Sequence, residues 1–553
     1  MKKIFYTFSL LILLPILSFA ATYYVDDSGS NGDGSLSNPF NNFSDALNAA
    51  QPGDVIMVLP GTYSQDINTE RSGQPGQRIV IQAYDPANRP LISTGGGALS
   101  IDHSYITVDG LIFDGEFDGS DVVKISSGGD NTILRNCEIR NGTKDGIDMN
   151  EADDVLIENC EIHHMLGGSL SNQVDAHGIV ATGEQNLTIR GCNIYYTSGD
   201  CFQTDPNRDY PLWDNVLIEN CTLWTGPLPA DAADWNAGEI PGENAIDTKI
   251  NEDAVGTSYR AKITLRHVTA YGFVPGYINN RAAFNIKEKV DCLMEGVVAY
   301  GNEIGFRLRG PGGRGGAYIT MINCISYDND IMFRVEDDLE VLKIYNSTFD
   351  LGNGNEYFDN VSGGYDPNGL DVRNSLFTGE KPDEASHSSN LLANSSFFID
   401  MSGHNYHLSL SSPAINAGVD IPEVTDDFDG NPRNSGSYDV GAYEGGTITG
   451  IGDELAGDEV ANDFYLYPNY PNPFNPGTRI AFRINRAETV QLSIYNLLGQ
   501  AVRTLVSGQL AEGLHNYTWD GRNDFGNPVS SGIYIYRLEA GSFTQTRKMH
   551  LIR

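Results

Sequence analysis

Apolar and polar positions along this chain recur as one phrase: Ile or Leu, any residue, Asn, Cys, any residue, Ile. It stands as LRNCEI (134–139), IENCEI (157–162), IENCTL (218–223) and INCIS (322–326). Degenerate copies are IRGCNI (189–194), LRHVTA (265–270), MEGVVA (294–299), YNSTF (345–349) and RNSLF (373–377). Most copies lie 23 to 32 residues apart, the length of one turn of a β-solenoid with loops inserted at fixed corners. One column of the phrase reads Asn136, Asn159, Gly191, Asn220, His267, Gly296, Asn323, Asn346 and Asn374. Asn and Gly tolerate the left-handed backbone of a sharp corner, and stacked amides can bond from coil to coil. The next column is Leu111, Cys137, Cys160, Cys192, Cys221, Val268, Val297, Cys324, Ser347 and Ser375, which are small interior fillers.

Upstream of each phrase lies another strand with period-2 alternation. Its inward positions are Val123, Ile147, Ile179, Phe202, Ile246, Phe284, Phe306 and Phe333. Two residues on come Ile125, Met149, Ala181, Thr204, Thr248, Ile286, Leu308 and Val335. In-register parallel stacking places equivalent residues about 4.8 Å apart. The pattern predicts an all-β chain whose main body is a right-handed parallel β-helix of about a dozen coils, from roughly residue 50 to 380. Before it, Ser44 is expected to cap a short amphipathic helix through Ala50 that plugs the open end.

Composition sets the address and the boundaries. Lys2 and Lys3 precede an apolar run, Ile4 to Leu17, too short to span a bilayer, and Ser18-Phe19-Ala20 offers a cleavage site. Residues 1–20 therefore read as a signal peptide, residues 21–385 as the β-helix with its N-terminal cap, and 386–445 as its closing segment. Residues 446–463 are rich in Gly and acid and read as a linker. Residues 464–553 turn to short alternating strands with turn signals, a small β-sandwich of immunoglobulin-like type. No later stretch is apolar enough for a transmembrane helix, and a monomer is expected. The net charge of −38 argues against nucleic acid and anionic membranes as partners. Five of the seven cysteines share one inward column, so free buried thiols are expected rather than disulfides.

The outward positions of the upstream strand are where chemistry can sit. One column is Lys124, Asp148, Val180, Gln203, Asp247, Asn285, Arg307 and Arg334; the other is Ser126, Asn150, Thr182, Asp205, Lys249, Lys287, Arg309 and Glu336. Lys249, Lys287 and Arg309 thus follow one another on successive coils. Stacked cations about 5 Å apart repel by roughly 3 kcal/mol at an effective dielectric of 20, which favours a lysine able to act as a base; a satisfied ladder of surface ion pairs is the plainer alternative. Long insertions (205–215, 251–262 and 309–317 after the strand; 163–176, 225–243 and 271–281 before it) are expected to wall a groove suited to a linear polymer. Asp145, His177 and Asp200 fall where the strand begins, with Asp148, Asp175, Asp205, Glu243 and Asp247 nearby. Such convergent carboxylates suit calcium. Trp213, Trp224 and Trp235 lie on the walling loops and read as stacking platforms for sugar rings or as loop packing.

GENAIDTKI (242–250), FNIKEK (284–289) and GFRLRG (305–310) resemble the pattern of β-helical polysaccharide lyases: acidic residues, a base lysine, then arginines on successive coils. The resemblance runs over residues 21–445. It implies that calcium or an arginine neutralises a uronate carboxylate so that a base removes the C5 proton. Carried over, Lys249 is the base, Lys287 stands beside it, and Arg307 and Arg309 neutralise the carboxylate. Asp200, Asp205, Glu243 and Asp247 are the implied metal ligands. Arg334, Asn285 and His177 complete the substrate-binding set with Trp213 and Trp235. VDAHGI (174–179) and SGDCF (198–202) are similar to motifs of polygalacturonases, so a β-helical glycoside hydrolase is the alternative enzyme. A non-catalytic glycan-binding adhesin is the reading from another class. Under each reading the partner is an acidic polysaccharide. YPNYPNPFNPGTRIAFRI (467–484), LSIYNLLGQAVRTL, GIYIYRLEAG and RKMHLIR resemble a type A sorting domain, which implies the type IX secretion machinery as a partner and delivery to the cell surface or medium.

Overall fold

The structure, a computed structural model, describes residues 20–445 except 205–211, 255, 277, 312–314 and 434–435, and most of 464–551. Residues 1–19 of the expected signal peptide and the expected linker, 446–463, lie outside the described residues.

Three long parallel sheets run side by side along the chain's main body. The first has 13 strands, from Thr22–Val25 to Leu370–Arg373; the second has 11, from Ile67–Asn68 to Glu356–Val361; the third has 13, from Thr62–Tyr63 to Leu391–Ala393. Eleven coils contribute one strand to each sheet, which is the parallel β-helix. The repeated phrase spans a first-sheet strand, the corner and a third-sheet strand, while the upstream strand builds the second sheet. Coils begin earlier than expected, because Thr22–Val25 already pairs in parallel with Val55–Val58. The last third-sheet strand, Leu391–Ala393, falls in the closing segment.

The corner column behaves as its residues require. All nine members, from Asn136 (φ 55°) to Asn374 (φ 52°), have left-handed backbone. Their amides have a second use. Asn323 Nδ2 donates to Asp426 O (2.8 Å), Asn346 Nδ2 to Asp439 O (3.0 Å) and Asn374 Nδ2 to Val419 O (2.7 Å). The late corners therefore hold the closing segment, with Asn374 Nδ2 also reaching Asn346 Oδ1 at 3.3 Å. Arg433, buried in that segment, ties it to Asn323 Oδ1 (2.9 Å) and to Glu444.

Inward columns form one continuous core. The seven cysteines are free and buried. Stacking along the axis turns Phe284, Phe306, Phe333 and Phe358 into a ladder with ring centroids 4.8–5.4 Å apart. At the open end the helix Phe43–Ala49 buries Phe43, Ala46 and Leu47. Its cap is Asn42, not Ser44: Asn42 is extended and its side chain accepts the Asp45 N–H at 2.8 Å, which places Ser44 inside the first turn.

The C-terminal region forms two antiparallel sheets. One orders Phe464–Leu466, Thr478–Ile484 and Gly513–Trp519; the other orders Ala501–Leu510, Glu488–Asn496, Gly532–Ala540 and Phe543–Leu551. Leu466, Ile480, Phe482, Leu492, Trp519 and Tyr536 build their shared core, the β-sandwich expected from the alternation.

Candidate functional site

The two lysines of the second sheet are anchored by threonines. The strand Ile246–Asp247 is only two residues long, so the ladder stops just before Lys249. Thr204 Oγ1 replaces it, accepting from Lys249 N and donating to Lys249 O, both at 2.9 Å. One coil on, Thr248 Oγ1 accepts from Lys287 N (2.9 Å) and donates to Lys287 O (3.1 Å). Trp213 Nε1 adds a bond to Lys249 O at 2.8 Å. An inward threonine thus fixes each outward lysine's main chain.

Their ammonium groups meet different partners. Lys287 Nζ lies 2.9 Å from Asp247 Oδ1 and 3.0 Å from Oδ2. Lys249 Nζ stands 3.6 Å from Asp247 Oδ2 and donates to Gln203 Oε1. Asn285 Nδ2 also donates to Asp247 Oδ1, at 2.9 Å. Asn285 Oδ1 is buried and has no hydrogen-bond partner among the described residues.

An acidic edge borders this pair. Asp145 Oδ1 accepts both the backbone N–H of His177 (2.8 Å) and faces its Nδ1 (2.9 Å). His177 Nε2 faces the Gln203 amide nitrogen, with Asp200 Oδ2 3.8 Å away. The ring lies against Gly199, where a Cβ would come within 2.9 Å of its Cδ2. Burial disfavours the charged imidazole, but Asp145 and then Asp200 and Asp175 outweigh it and raise the His177 pKa. Asp200 Oδ1 accepts from Asn244 N (3.0 Å) and Nδ2 (2.8 Å). Burial, then the charge of Asp247, pushes Asp200 upward. Glu243 is pushed above the ordinary carboxylate range by burial, then by Asp200 and Asp175.

Of the four expected calcium ligands, Asp205 lies outside the described residues. Asp247 is engaged by two ammonium groups and an amide, and Asp200 by Asn244. Among the described residues no three His, Cys, Asp or Glu side chains converge as a metal ion requires. The described donors do not fit calcium as they stand: two ammonium groups face Asp247 and an amide takes Asp200.

Two coils beyond Lys249 the arginines converge on one carboxylate. Glu336 accepts from Arg307 Nε (2.9 Å) and Arg334 Nε (2.7 Å), and Arg309 Nε lies 3.1 Å from it. Arg334 also reaches Asp359 at 3.1 Å, and Arg309 comes within 3.8 Å of Asp337. Arg307 faces the lysine side of this group, next in register after Asn285.

The tryptophans are not platforms. Trp213 is 0% and Trp235 1% exposed; the first fills the helix core and the second packs with Leu166, Tyr196 and Leu228. Trp224 belongs to a stack on the third sheet, His163, Tyr195, Trp224, Tyr271, Tyr300, Tyr327 and His404, with centroids 4.2–5.7 Å apart. Each ring's faces are taken by its neighbours, so only edges remain for a sugar. Sequence reasoning missed Gln203 and Thr204 as parts of the site. Gln203 was visible only as the outward residue one coil before Asp247, and Thr204 looked like a plain inward filler.

The model of the family described as "Pel9A-like, right handed beta helix region" matches residues 23–353. That of the FlgD Ig-like domain matches 472–542. Among solved structures, pectate lyase Pel9A is 17% identical, covering 77% of this chain and 97% of its own, with a TM-score of 0.44. A rhamnogalacturonan lyase is 15% identical over 70% of this chain and 92% of its own, with a TM-score of 0.48. An alginate lyase from Paenibacillus sp. str. FPU-7 is 16% identical over 62% and 97%, with a TM-score of 0.39. No curated protein matches the chain.

Proposed function

The chain belongs to the family of Pel9A-like, right-handed β-helix regions, and from that premise we propose that it is a lyase cleaving a uronate-containing polysaccharide by β-elimination on the second sheet. The observation that carries the proposal is the Lys249 ammonium. It is partly exposed on the outward column, held by a neutral amide, and 3.6 Å from the nearest carboxylate oxygen. An amine so placed is within reach of a substrate and is not closed into a tight ion pair.

In this reading Lys249, in its neutral form, removes the C5 proton of a uronate. The electron pair shifts toward the carboxylate carbon and then expels the C4 oxygen, which leaves an unsaturated sugar and needs a proton. Lys287 and Arg307, on the next two coils, meet the uronate carboxylate and its developing charge. Glu243, a partly buried carboxyl pushed above the ordinary carboxylate range, is the proton donor in this reading for the departing oxygen. No step here runs through calcium.

The rest of the proposal concerns delivery: residues 1–20 as a cleaved signal peptide, and 464–553 as a sorting domain for type IX secretion, bring a monomer to the cell surface or medium.

The test incubates the full chain with pectate, alginate and glycosaminoglycan polymers, with and without chelator. Ultraviolet absorbance of an unsaturated uronic product supports the proposal, and its loss on chelation would show that the reaction needs a metal ion. New reducing ends without that absorbance favour the hydrolase. Binding without cleavage favours the adhesin.

A further inference from the structure

Gln203 takes no part in the elimination itself, yet its side chain lies fully buried against Lys249. Its amide is held at both ends. The oxygen accepts from Lys249 Nζ, and the nitrogen faces His177 Nε2. An amide nitrogen only donates, so in the neutral ring His177 Nε2 must accept and the single proton sits on Nδ1. There Asp145 Oδ1 receives it at 2.9 Å. The hydrogen bonds then run in one direction, from Lys249 to Gln203 to His177 to Asp145.

We infer that Gln203 is the positioning residue of Lys249, with its amide oriented from behind by an Nδ1-protonated His177 seated on Asp145. This rests on the reading of Lys249 as the base. The reason lies in the lysine itself. Its four-carbon stem is flexible and its three donors rotate freely, so without a competitor the ammonium would close on Asp247 as Lys287 does at 2.9 Å. Gln203 offers an acceptor that carries no charge. It fixes the direction of the amine. The reversed amide would set its NH2 against the ammonium, donor to donor, and His177 prevents that reversal. The charged groups around Lys249 are Asp247 on its own coil, Asp200 on the coil before and Lys287 on the coil after.

Two measurements decide it. Gln203→Glu keeps the shape and adds a charge. Expected is a loss of about tenfold or more in kcat at neutral pH with KM within about twofold, recovering as pH rises, because the carboxylate retains the lysine proton. Wild-type kcat and pH profile in a folded Gln203→Glu variant would overturn the inference. Nitrogen-15 NMR of the imidazoles in wild-type protein, with His177 assigned by its loss in His177→Gln, reads the chain without turnover or a Gln203 variant. Above the raised His177 pKa a neutral ring with its proton on Nδ1 is expected, and a neutral ring with its proton on Nε2 would overturn the inference. Absence of an unsaturated product from wild-type protein on every uronate polymer is a different result, and it removes the base reading instead.

Discussion

Lys287 Nζ lies 2.9 Å from Asp247 Oδ1. Lys249, one coil earlier in the same column, gives its hydrogen bond to an amide. The two lysines therefore share a column without sharing a role. Lys249→Ala should lower turnover by roughly 10²–10⁴-fold. Lys287→Ala should raise KM as well as lower kcat, since a uronate carboxylate is charged in both ground and transition states. Steady-state kinetics on the polymer found active separates the two, and equal kcat losses with unchanged KM would refute the division.

Trp213 supports the site from inside the core. Trp213→Phe keeps most of the packing but removes the Nε1–H that Lys249 O accepts at 2.8 Å. A stability cost of about 1 kcal/mol is expected, together with a kcat loss larger than that cost alone suggests. Denaturant unfolding beside kinetics checks it; unchanged kcat would mean the threonine anchor suffices.

Glu336→Gln tests the arginine cluster. Burial would raise the Glu336 carboxyl, but Arg307, Arg334 and Arg309 outweigh it and hold it below its ordinary value. A depressed folded-state pKa means the stabilisation is present above the unfolded pKa and lost as pH falls through the folded one. The variant should be less stable by roughly 1–3 kcal/mol at neutral pH, and the gap should close in acid. Melting curves across pH measure it, and a gap that widens in acid would contradict the assignment.

Corner geometry predicts a contrast between neighbours. Asn159 has φ 53° and Gly191 φ 64°. Asn159→Ala should cost about 1 kcal/mol. Gly191→Ala should cost more, because its Cβ would lie 2.6 Å from Asn159 Oδ1 as well. Asn159→Gly should be close to neutral. Urea unfolding of the three variants tests that ranking.

Seven thiols should titrate in denaturant without reductant, and essentially none in the native protein, since all seven cysteines are buried and unpaired. Fewer than seven after unfolding would reveal a disulfide.

Much of this architecture was readable in the residues because a β-helix repeats one environment. Asn136, Asn159 and Asn220 each need a left-handed corner, and Val123, Ile147 and Ile179 each face the same interior, so a local preference is written many times over. The helix cap was misassigned because Asn42 and Ser44 are both good caps, and backbone direction chooses between them. The site was readable only in part. Column order put Lys249, Lys287 and Arg309 in line and Arg307 beside Arg334.

What sequence by itself determined was the repeat, its inward and outward faces and the line of cations, since period and side-chain chemistry are local. What only the tertiary structure decided was which ammonium closes on Asp247 and which turns to Gln203, that Glu336 gathers three arginines, and that Trp213 and Trp235 face inward. Those outcomes depend on side-chain reach between coils and on loops folding back, over distances of a few ångströms that a column of letters does not carry.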